Sequence, residues 1–128
     1  MLSDYSPQPT LATGDQQRSR EFYEGVLGFK GEEAGPGGEI MYTCAGNAFM
    51  VYPSAYAGTN QATAVSFPVP SDAFDSEVAA LRSAGITFDT FELEGVEWDD
   101  GVAVMPGMKA LWFHDPDGNI LNVGTFDR

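Results

Sequence analysis

"WFHDPDGNIL", residues 112–121, sets the chain's only histidine, His114, beside a turn that carries two aspartates. Pro116 presets φ at the second turn position, and Gly118 tolerates the positive φ that closes such turns. Apolar and polar residues alternate on both sides, so the stretch predicts a β-hairpin. With Asp115–Gly118 as a four-residue turn, His114 pairs with Asn119, Phe113 with Ile120 and Leu111 with Asn122. Paired side chains share a face. Leu111, Phe113 and Asn122 then line one face, while His114 and Trp112 look to the other. No metal-ligating partner stands two or four residues from His114 along its strand, and a lone imidazole is not a metal site. His114 reads as a structural residue beside a turn.

Working outward, the chain falls into two halves of the same order. The first predicts a strand over 8–13, a helix over 16–27 and strands over 29–33, 39–45 and 48–52. Asp15 is the candidate N-cap, Phe22, Tyr23, Val26 and Leu27 form the apolar stripe, and Gly28 ends the helix. The second predicts a strand over 64–69 and a helix capped by Ser71 or Asp72, with Phe74, Val78 and Leu81 inward and Gly85 at its end. Strands follow over 87–93, 101–105, 108–114 and 119–126. The stretch between the halves, "PSAYAGTNQ" (53–61), has linker composition. The echo reaches the letters. "AGNAFMVYP" (45–53) laid on "DGNILNVGT" (117–125) matches Gly46–Asn47 with Gly118–Asn119, Val51 with Val123, and Met50 with Asn122. Two copies of a half-domain, each with an apolar face to bury, predict a pseudo-symmetric sheet.

Composition bounds the function. At 128 residues the chain predicts a single domain with a core of its own. No apolar run approaches the roughly 20 residues of a membrane span, and the N-terminus has no secretory pattern. Cys44 is the one cysteine, which fits a reducing cytoplasm and a buried small side chain. A formal charge of −13 disfavours nucleic acid and anionic membranes as partners. Asp89, Glu92, Glu94, Glu97, Asp99 and Asp100 crowd a stretch without a basic residue. That stretch reads either as a solvated loop or as an acidic rim for a cationic ligand.

"SREFYEGVLGFK" (19–30), followed by "KALWFHDPDGNILNV" (109–123), resembles the vicinal oxygen chelate superfamily: glyoxalase I, extradiol dioxygenases, fosfomycin-resistance enzymes and bleomycin-resistance proteins. "EWDDGVAVMPGMKALWFHDPDGN" (97–119) is similar to its glyoxalase/bleomycin resistance/dioxygenase branch. The resemblance covers essentially the whole chain. It implies an α+β fold in which two βαβββ modules, about 7–53 and 62–126, form a cupped mixed sheet with helices on the convex face. The metalloenzymes of that superfamily place ligands at one point in each module's first strand and one in its last. Carried over residue by residue, those points are Gln8, Ala64, Met50 and Asn122. Two amides, a thioether and a methyl group offer a hard cation no charge and no imidazole, so no metal and no cofactor is expected.

What the resemblance then implies is a metal-independent small-molecule-binding protein of the bleomycin-resistance type, taking a cationic or aromatic natural product, as a homodimer. The candidate lining is Gln8, Met50, Tyr52, Leu111, Phe113 and Asn122, with Trp98 as an aromatic wall. Two other readings stand beside it. One is a glyoxalase-like lyase, isomerase or dioxygenase working through a non-standard metal or an acid–base site. The other is a dimeric interaction module without a ligand.

Overall fold

The computed structural model describes residues 1–127. It divides into two compact units. One comprises Met1–Asn60 together with Pro116–Asn119, and the other comprises Gln61–Asp115 together with the chain from Ile120 onward. The division at Asn60 and Gln61 falls inside the linker stretch.

In the first unit the order is β1 (Thr10–Thr13), α1 (Gln16–Arg20), β2 (Gly31–Glu33), β3 (Ile40–Cys44) and β4 (Asn47–Pro53). The sheet runs β1-β4-β3-β2, with β1 parallel to β4 and the other neighbours antiparallel. Alternation sorts the side chains. Leu11, Thr13, Ile40, Tyr42, Phe49 and Val51 are buried on one face, where Tyr23 packs 5.5 Å from the Tyr42 ring and 5.6 Å from Phe49. Thr10, Ala12, Met41, Met50 and Tyr52 alternate onto the other.

The cap at Asp15 forms as expected, its side chain accepting from the Arg18 amide at 3.1 Å. The helix does not continue as one α-helix to Leu27. From Glu21 to Val26 it widens to π winding, and the Leu27 amide bonds back five residues to the Phe22 carbonyl at 2.9 Å. Ser19 and Tyr23, four residues apart, are the buried positions along the two segments. Gly28, at φ +79°, then breaks the winding.

Beside Tyr23, Arg20 grips Glu24 at 2.6 and 3.2 Å, and the Tyr42 hydroxyl donates to Glu24 at 3.1 Å. The Arg20 hydrogen bond, helped by Tyr42, holds the Glu24 carboxyl below its usual value of 4.5, while burial pushes the Tyr42 phenol up. A depressed carboxyl favours the fold above its unfolded value and loses that contribution as the pH falls through the folded one. Glu24→Gln is therefore expected to flatten the fall in stability below about pH 4.5, as read by urea unfolding at successive pH values. A slope identical to the parent's rejects this linkage.

The second unit repeats the plan: β5 (Thr63–Val69), α2 (Ser71–Ser83), β6 (Glu97–Asp99), β7 (Val102–Met105), β8 (Met108–His114) and β9 (Ile120–Thr125). Its sheet runs β5-β9-β8-β7-β6, again with the first strand parallel to the last. Val65, Leu111, Phe113, Leu121 and Val123 are buried, as are Phe74 and Val78 on α2.

Three local expectations are corrected. Residues 87–93 form no strand. Asp89 alone donates ladder-fashion, to the Trp112 carbonyl at 2.7 Å, and the edge strand is β6, reached through the left-handed Asp100–Gly101 turn. Neither Ser71 nor Asp72 caps α2. Pro70 occupies the N-cap, and Asp127 lends its carboxylate to the Ser71 amide at 2.9 Å.

The third correction concerns the hairpin. The loop between β8 and β9 holds five residues, so His114 pairs with Ile120, Phe113 with Leu121, Trp112 with Asn122 and Leu111 with Val123. Asn119 is drawn out of the ladder because its side-chain amide donates to the Ala12 carbonyl at 2.9 Å. Asp117 is held likewise, accepting from the Gly14 amide and from Arg18, each at 2.9 Å. A slip of one residue exchanges the faces. Leu111 and Phe113 go into the core, and Trp112 joins Asn122 on the open face.

Candidate functional site

The open face of the second sheet follows from that register. Trp112 sits directly opposite Asn122, and Ser66 lies beside Asn122 on the parallel side. The next row runs Trp98, Ala103, Ala110, Gly124 across β6, β7, β8 and β9. Ala103 and Ala110 in that row are 0% and 2% exposed, so the row is covered beside the indoles. Phe91, from the irregular 87–93 stretch, completes the cluster. Its ring meets Trp112 edge-on at 5.0 Å and Trp98 at 5.4 Å, and the two indoles stand 6.3 Å apart. Such edge-to-face contacts hold each ring at a fixed tilt.

Phe91 and Trp98 line an open cleft of about 760 Å³ together with Leu93, Val96, Glu92 and Glu94. Phe91 and Leu93 are 44% and 43% exposed. Large apolar side chains left in water around a cleft, with carboxylates at its rim, suit a flat organic guest that carries positive charge. Asn122, opposite Trp112 and outside the lining of this cleft, gives one amide hydrogen to the Leu111 carbonyl at 3.0 Å.

His114 is not the isolated residue that its own strand suggested. Its Nδ1 lies 3.0 and 3.3 Å from the two carboxylate oxygens of Asp89, which is 25 positions away in sequence. Alternation along β8 puts this pair on the same face as Trp112.

The sequence-derived lining is thus divided. Trp98 and Asn122 share the open face of the second sheet. Met50 and Tyr52 share the corresponding face of the first, where Met50 pairs with Met41 and Tyr52 is 37% exposed. Gln8 precedes β1 and borders a separate hollow of about 560 Å³ with Thr43, Cys44 and Asn47. Leu111 and Phe113 drop out of the lining, being 0% and 2% exposed on the buried side. Trp112, Phe91 and the Asp89–His114 pair were missed. Trp112 was lost to the register, and no sequence signal joined positions 89 and 114.

Residues 6–123 match the family model for the Glyoxalase/Bleomycin resistance protein/Dioxygenase superfamily. The chain belongs to this superfamily. Solved structures agree in fold. A glyoxalase/bleomycin resistance protein/dioxygenase from Alicyclobacillus acidocaldarius superposes with a TM-score of 0.71 at 16% identity, covering 98% of this chain and 93% of that one. Lactoylglutathione lyase from Agrobacterium tumefaciens gives 0.67 at 16% identity, covering 94% and 92%. The fosfomycin resistance protein FosX from Mesorhizobium loti gives 0.66 at 13% identity, covering 97% and 93%. No curated protein sequence matches this chain. These likenesses establish the α+β glyoxalase-like fold of two mixed sheets and, below 20% identity, nothing finer.

Several members of the superfamily are metalloenzymes. Gln8, Ala64, Met50 and Asn122 supply neither a carboxylate nor an imidazole, and Asn122 already spends its amide on the Leu111 carbonyl. Among the described residues no three His, Cys, Asp or Glu side chains converge. Two amides, a thioether and a methyl group, at the points the resemblance implies, are poor ligand types for a divalent cation.

Proposed function

We propose that this member of the superfamily is a metal-independent binder of small organic molecules, and that its guest is aromatic and cationic. The observation that supports this most is the Phe91–Trp98–Trp112 cluster beside the open cleft with Glu92 and Glu94. A planar cation gains twice there. Its ring stacks on the indoles, and its charge meets both the ring faces and the carboxylates. The net charge of −13 adds long-range attraction. Asn122 supplies the oriented polar contact such sites need. Met50 and Tyr52, and Gln8 before β1, are proposed as lining residues within the first unit. In the same reading the protein works as a homodimer in a reducing cytoplasm, with Cys44 as a free thiol.

Calorimetric titration with bleomycin and a panel of planar aromatic cations tests the proposal. Micromolar or tighter binding that weakens with added salt is expected. Trp98→Ala and Trp112→Ala are each expected to weaken it roughly tenfold, the scale of a lost cation–π and stacking contact. Equal affinity for the parent and both variants rejects the assignment of this face.

A further inference from the structure

We propose that Asp89 and His114 form a proton-accepting dyad, and that His114 acts as a metal-free general base on planar aromatic substrates stacked against Trp112. The proposal rests on the reading above that the aromatic cleft holds an organic guest.

The geometry begins with Asp89. An ionised carboxylate only accepts hydrogen bonds, so with both its oxygens at 3.0 and 3.3 Å from Nδ1, that nitrogen carries the hydrogen of the neutral ring. The lone pair then resides on Nε2. Asp89 is itself fixed, since its backbone amide donates to the Trp112 carbonyl at 2.7 Å. Orienter and base are thereby tied to one strand, two residues apart along β8. Trp112 and His114 share a face about 7 Å apart along that strand. That separation is one a bicyclic ring can span.

Glu92 and Glu94 follow Asp89 on the same segment, whereas β9 brings Ile120 opposite His114 and β5 brings Thr63 beside Ile120. A purely structural purpose explains the pair poorly. His114 is 59% and Asp89 37% exposed at the side chain, and pairs so open to water add little to stability. The same exposure leaves Nε2 accessible and lets variants fold.

The probe is 5-nitrobenzisoxazole, a planar neutral heterocycle with one acidic C–H. His114 Nε2 removes that proton, and the C–H electron pair becomes the third carbon–nitrogen bond of a nitrile. The N–O bond breaks as this happens, and the oxygen leaves as a coloured phenolate with the bond's electrons. The imidazolium returns its proton to water, so the net change is isomerisation and loss of one proton.

The parent protein is expected to turn the probe over roughly 10²-fold faster than free imidazole at the same concentration, with His114→Gln losing that factor. Asp89→Asn, which removes the orienting charge, is expected to lower kcat about tenfold and leave KM unchanged. Quenching of tryptophan fluorescence by the probe measures binding separately and is expected to be the same in His114→Gln. Turnover no faster than free imidazole, or turnover unchanged in His114→Gln, overturns the base. With quenching intact, either result leaves the ligand site standing. Loss of quenching in the parent removes the ligand site and the dyad's substrate with it.

Discussion

Phe113→Ala is expected to lower stability by roughly 3–5 kcal/mol, the range for emptying a buried aromatic site. Phe113 is 2% exposed, pairs with Leu121 and stands in one row of apolar side chains with Leu111 and Val123. Removing its ring leaves a cavity that rigid β neighbours cannot collapse to fill, so the loss includes both transfer and packing energy. Trp112→Ala is the counterpart, one residue away on the opposite face. It should disturb stability much less and ligand binding much more. Urea unfolding of both variants, with the slope of each transition checked for constancy, separates the two faces. Reversed losses would mean that the hairpin has the register expected for a four-residue turn. Trp112 would then belong to the core and the aromatic face would be lost.

Asp117→Ala is expected to cost about 2–4 kcal/mol, or a fall in Tm on the order of 10 °C for a chain of this size. The side chain is 3% exposed and accepts from the Gly14 amide and from Arg18. Alanine leaves a part-buried backbone donor without its acceptor, and that unmet desolvation dominates the loss. The Arg18 contribution is smaller, because Arg18 is 49% exposed and water takes back much of its charge. Asp117→Asn retains one acceptor oxygen and should recover part of the loss. A thermal midpoint within about 2 °C of the parent for Asp117→Ala contradicts this account of what anchors the turn.

These two variants also mark where sequence reading succeeds and where it stops. Signals that act within a few residues were legible. Asp15 caps α1, Gly28 and Gly85 end their helices at φ +79° and +87°, and the "DPDG" and "AGNA" turns join the strands they were expected to join. The two-module plan was legible too, because each copy repeats the same order of elements.

What failed depends on partners far along the chain. The hairpin register turns on Asn119 reaching the Ala12 carbonyl, 107 positions away, and α2 is capped by Asp127, 56 positions from Ser71. Local turn chemistry favours four residues, and a single distant hydrogen bond makes it five. Alternation over 87–93 resembles a strand, yet only Asp89 finds a ladder bond there. The candidate site inherited these misses. Leu111 and Phe113 were placed on the Asn122 face by the same slip that hid Trp112. His114 appeared isolated because its carboxylate partner lies on another segment. Asn122 was singled out by the repeat that aligns it with Met50, and Trp98 only as an aromatic wall, with no expected strand to place it; β6 supplies that strand.

The claim most open to a single decision is that recognition needs aromatic rings and no metal ion. Calorimetric titration of the chelator-stripped protein with a planar aromatic cation, before and after one equivalent of nickel, zinc, manganese or iron(II), makes that decision. The same affinity and stoichiometry in every case is the expected result. Binding that vanishes on stripping and returns with a metal would contradict it.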